Sequence, residues 1–79
     1  MKCISLTHDQ VKEFIDQSTL YAAPFWLNES IFRGELGIML GKLVHVNLIH
    51  DEWKITPIGK NDLICFDGKD KKVKIIKGA

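Results

Sequence analysis

From Thr7 to Gln17 the apolar positions follow a helical spacing. Val11, Phe14 and Ile15 share one side, and Asp9, Lys12, Glu13, Asp16 and Gln17 take the other. Thr7 followed by Gln10 reads as a capping box, with Leu6 and Val11 placed as a hydrophobic staple. This pattern predicts a first helix over about residues 8–17, preceded at residues 2–6 by either a short strand or a lead-in. A second stripe, Phe32, Leu36, Met39, Leu40 and Leu43, predicts a helix over about residues 29–42, capped by Asn28 or Ser30. Pro24 disfavours helix at Ala23, just before it. Gly34, Gly37 and Gly41 fall on one side of that second helix, each at a cost of ~1 kcal/mol against alanine. Either the helix frays there or another surface packs closely against it.

From Val44 the period changes to two. Val44, Val46 and Leu48 share a face that Trp53, Ile55 and Pro57 continue after a turn at His50, Asp51 and Glu52. Strands over 63–66 and 73–77 complete the pattern, joined by a loop that opens at Asp67-Gly68. If Phe66 faces Val73, then Ile64 faces Ile75. The expected fold is α+β: two N-terminal helices, then a four-stranded antiparallel meander, in one domain spanning residues 1–79.

Composition narrows the possibilities. The 79 residues are 46% apolar and 27% charged, which excludes a disordered or low-complexity chain. A chain this short buries only about 60% of its unfolded surface, so a partner can contribute materially to its stability. Two cysteines, Cys3 and Cys65, are too few for a disulfide framework, and both thiols are expected to be free and mostly buried. No apolar run approaches the ~20 residues of a membrane span, and the N-terminus lacks a signal-peptide core. A cytoplasmic protein that does not contact a membrane is expected.

Candidate chemistry is sparse. His45 and His50 lie an odd number of residues apart, so on one strand they face opposite ways. No spacing typical of a metal site joins them to Cys3, His8 or Cys65, and neither metal nor cofactor is expected. No nucleophile elbow surrounds Ser5, and Cys65 sits mid-strand where a small buried hydrophobe belongs. Residues 37–43 (GIMLGKL) have three residues between the glycines where a phosphate loop needs four, and Leu43 follows the lysine. No enzyme is expected.

The tract LGKLVHVNLIHDEWKITPIGKNDL resembles the wing of winged-helix proteins, in which a helix runs into a hairpin whose second strand reads W-x-I-T-x-x-G-K. The resemblance covers about a third of the chain and implies nucleic-acid binding. Lys69, Lys71, Lys72 and Lys74 are the candidate phosphate contacts, since residues 44–79 carry seven lysines against five acids. The same lysines serve equally to protect an exposed terminal strand from pairing. The would-be reading helix offers only Arg33, Glu35 and Lys42 as long polar residues, and the wing tip is acidic. Nucleic-acid binding is therefore the alternative.

The leading expectation is a protein-interaction module, binding another protein or itself. Four of the seven aromatics, Tyr21, Phe25, Trp26 and Phe32, cluster around Pro24, and a domain this small cannot readily bury all of Phe25, Trp26 and Leu27. The expected contact patch is Tyr21, Phe25 and Trp26 beside a helix face bared at Gly34, Gly37 and Gly41.

Overall fold

A computed structural model describes residues 3–78. β1 (Cys3–Thr7) leads directly into α1 (His8–Asp16) through the expected capping box. The Gln10 N–H donates to Thr7 Oγ1 at 3.2 Å, and the Thr7 N–H donates to Gln10 Oε1 at 2.9 Å. A 3-10 turn (Leu20–Ala22) and α2 (Phe25–Phe32) follow. Then come β2 (Leu36–Met39), β3 (Lys42–Ile49), β4 (Glu52–Pro57), β5 (Leu63–Asp67) and β6 (Lys72–Ile76). The strands form two antiparallel three-stranded sheets, ordered β1-β5-β6 and β2-β3-β4. Six strands in two sheets replace the single four-stranded meander that the sequence pattern suggested.

The departure is concentrated in residues 24–42. Pro24 opens α2: its carbonyl accepts the N–H groups of Leu27 and Asn28 at 3.0 and 3.3 Å, and its fixed φ suits helix entry. The helix ends where Gly34 adopts φ +82°, with the Gly34 N–H on the Ile31 carbonyl at 3.1 Å and the Glu35 N–H on the Ser30 carbonyl at 2.8 Å. Those two bonds are the Schellman stop, so Gly34 is a terminator and not an interior residue. Gly37 lies within β2. Gly41, at φ +75°, follows Leu40, at φ +52°, in the two-residue turn between β2 and β3, both at the positive φ of a type I′ hairpin. The three glycines therefore share no helix face, and the expected helix over 29–42 does not exist. Short apolar strands joined by a tight turn mimic a helical stripe when the run is brief. The winged-helix arrangement falls with it, because a strand and not a helix leads into the β3–β4 hairpin.

The core gathers Val11 of α1, Trp26 and Leu27 of α2, Leu36, Leu43, Ile58, Ile64 and Val73. Trp26 stacks on Phe66 with ring centroids 5.7 Å apart. The pairings Phe66–Val73 and Ile64–Ile75 are present in the β5–β6 ladder as the alternation requires. Asp62 fastens the end of the chain to the loop after β4: Oδ1 accepts the Gly78 N–H at 3.0 Å and Oδ2 the Gly59 N–H at 2.9 Å. These two bonds, Gly78's foremost, hold its carboxyl below the usual carboxylate range. Cys65 is buried within β5. The expectation of a buried thiol at Cys3 lies outside the described side chains.

Candidate functional site

The β2–β3–β4 sheet divides its side chains by parity. Cross-strand pairs place Met39 beside Lys42, Gly37 beside Val44, Val44 beside Pro57, Val46 beside Ile55, and Leu48 beside Trp53. Successive strand residues alternate faces, so all of these share one face. The other face holds Leu36, Ile38, Leu43, His45, Asn47, Ile49, Glu52, Lys54 and Thr56. Leu36 and Leu43 belong to the core, and Ile38 packs against it, so this second face is the inner one. None of the first set belongs to that cluster.

The outer face of the sheet is therefore apolar. Trp53 is 68% exposed, Leu48 54%, Met39 46% and Ile55 44%. Val44 is buried although it lies outside the core, covered by its own neighbours on this face. Met39, Leu40, Lys42, Val44, Ile55 and Pro57 line a hollow of about 230 Å³ near the β2–β3 turn. Leu40 at the rim is 95% exposed and holds a left-handed backbone, which costs a non-glycine residue ~1 kcal/mol. The β3–β4 turn, also of two residues at positive φ, uses His50 and Asp51, types that tolerate this conformation.

The two ends of the sheet carry opposite charge. At the end where β3 begins and β4 finishes, Lys42 and Lys60 line a cleft of about 440 Å³ together with Lys12, His8 and Asp9. Lys12 is tied to Asp16 at 2.6 Å, and His8 Nδ1 lies 2.9 Å from Asp9 Oδ1. The cleft lining includes no hydroxyl or thiol, so the His8–Asp9 pair has no nucleophile there to activate. At the opposite end, Asp51 and Glu52 form an acidic tip.

The residues expected from sequence scatter. Tyr21 and Phe25 are largely exposed, and Phe32, seven residues on along α2, joins Phe25 on one helical stripe. Trp26 is 3% exposed and belongs to the core, which removes it from any contact patch. Gly34, Gly37 and Gly41 lie in a helix stop, a strand and a hairpin turn, so the aromatic and glycine patch does not assemble. Lys69, Lys71, Lys72 and Lys74 do share the β5–β6 hairpin. Lys74 is held by Asp67 at 2.9 Å, the main cause of a lowered Asp67 carboxyl pKa. The Lys69 N–H also donates to that carboxylate.

The alternation marks Val44, Val46, Leu48, Trp53, Ile55 and Pro57 as one face but does not say which way that face turns. The signal for a second apolar face is Leu43 beside Val44 and Leu48 beside Ile49, adjacent apolar pairs that a one-sided strand does not carry. Among the described residues no group of His, Cys, Asp and Glu is arranged to hold a metal, and no helix is long and apolar enough to cross a membrane. No family model, curated protein or solved structure matches the chain.

Proposed function

We propose that this chain is a small, non-enzymatic protein-interaction module that self-associates, two copies packing through the outer face of the β2–β3–β4 sheet. The observation that carries this is the inverted polarity of the sheet, with large apolar side chains on the face away from the core. Exposed apolar area is worth ~25 cal/mol per Å² when covered, and contiguous patches of this kind mark association surfaces. The occupant is a second copy because the face is self-complementary in charge: Lys42 stands at one end and the Asp51 turn at the other. Its footprint, ~26 Å along β3 by ~14 Å across three strands, is at the small end for protein interfaces, which makes the dimer a weak, transient one.

Tryptophan quenching tests this. Trp26 is enclosed in every state, so acrylamide reports on Trp53, and quenching should fall as protein concentration rises through the micromolar range. Quenching independent of concentration up to millimolar protein contradicts the proposal. A salt-sensitive gel shift with nucleic acid, abolished by charge reversal at Lys69, Lys71 and Lys72, would favour the basic-hairpin alternative instead.

A further inference from the structure

Granting the self-association proposed above, we infer that the two copies meet with β3 antiparallel to β3 of the other copy, about a twofold axis at the Val46–Ile55 pair. In this arrangement Trp53 of each copy enters the hollow of the other, and the Asp51 turn of each lies on Lys42 of the other.

Two independent features give the same centre. An isologous contact maps each position to its mirror along the strand. Trp53 pairs with Leu48, two residues from Val46, and the hollow is centred on Val44 and Pro57, two residues from Val46 on the other side. The same inversion carries the His50-Asp51 turn onto Gly41 and Lys42. Trp53, more exposed than Leu48, Met39 or Ile55, therefore meets the hollow, and the Asp51 turn meets Lys42. With the axis along the strands instead, each level of the sheet would face itself: Asp51 would approach Asp51, Lys42 would approach Lys42, and Trp53 would meet Leu48 with the hollows unfilled.

The geometry tolerates the twist of real sheets. Packed sheets cross at ~30°, which displaces strand ends ~12 Å from the axis by ~6 Å sideways, within reach of a lysine side chain. Among the described residues Lys42 and Asp51 make no ion pair within the chain, so each is available across the interface. Of the other charges near the two ends, Lys12 and Asp9 are already engaged with Asp16 and His8, Lys60 lines the cleft beside α1, and Glu52 and Lys54 belong to the inner face. Leu40, on its unfavourable backbone, stands where the Leu48 and Trp53 end of the second copy arrives.

A charge exchange tests the register. Asp51→Lys and Lys42→Glu are each expected to weaken the dimer about tenfold, since symmetry applies each change twice, and the double variant should return to within about threefold of the parent. Asp51→Asn, which keeps a side chain suited to the left-handed turn, should give a smaller loss and exclude a folding artefact. Affinity should also fall with added salt in the parent and in the double variant. If the double variant is weaker than either single one, or if the single variants match the parent while Leu48→Lys abolishes the dimer, the antiparallel register is wrong although self-association stands. If the parent itself stays monomeric, both fall together.

Discussion

The two sheets treat their faces differently. In β1-β5-β6, Leu6, Ile64, Phe66, Val73 and Ile75 point to the core, while the outward face carries Ser5, Thr7, Asp67, Lys72 and Lys74 together with Leu63, Cys65 and Ile76. In β2-β3-β4 the outward face carries Met39, Val46, Leu48, Trp53 and Ile55. The inner one, past Leu36 and Leu43, turns to His45, Asn47, Lys54 and Thr56. An antiparallel sheet with one solvated face is expected to read apolar in and polar out. The first sheet follows this for most of its outward positions, with Leu63, Cys65 and Ile76 as exceptions. The second departs from the rule, and such departures gather at functional surfaces.

Substitutions on the two sides of this comparison should separate folding from association. The largest effect belongs to the core: Trp26→Ala, which removes the ring stacked on Phe66, should cost ~3–5 kcal/mol and unfold much of the population, read by thermal or urea denaturation. Trp53→Ala, a change of the same chemistry on the outer face, should leave monomer stability within ~1 kcal/mol while weakening the dimer at least tenfold. Equal destabilisation by both would erase the distinction between the two faces.

Leu40→Asn sharpens the contrast because its two effects should have opposite signs. Asparagine accepts the left-handed conformation, so the monomer should gain up to ~1 kcal/mol, yet the dimer should weaken with the loss of an exposed apolar contact. A variant that is neutral in both measurements would mean that Leu40 has no part in association.

The smallest effect concerns pH. Burial lowers the pKa of His45 from 6.5, with the Glu35 carboxylate opposing. The folded state then binds a proton less readily than the unfolded chain. The stability due to neutral His45 is therefore complete above about pH 6.5 and declines as the pH falls below it. Denaturation midpoints at about pH 7.5 and 5.5 should differ in that direction for the parent and less for His45→Gln, measured below the dimer's dissociation constant.

Local rules carried much of the fold. The Thr7 and Gln10 box, helix α1 and the registers of the β3–β4 and β5–β6 hairpins follow from spacing over a few residues. What spacing could not settle was the meaning of Gly34 and Pro24, since a proline can end one helix or begin the next and a glycine can weaken a helix or terminate it. The second sheet was hidden for the same reason, because β1 pairs with β5 across most of the chain and no local pattern announces that pairing. Of the contact surface, the stripe from Val44 to Pro57 was legible but its direction was not. Which face of a sheet meets the core depends on where the helices pack, and α1 and α2 had already filled it.

Sedimentation equilibrium tests the central claim most directly. The account predicts that the 9.0 kDa chain approaches twice that mass as concentration rises through the micromolar range, and that Leu48→Lys holds it at the monomer mass while its fold persists. A parent that remains at the monomer mass up to millimolar concentration, or a Leu48→Lys variant that dimerises as the parent does, would contradict it.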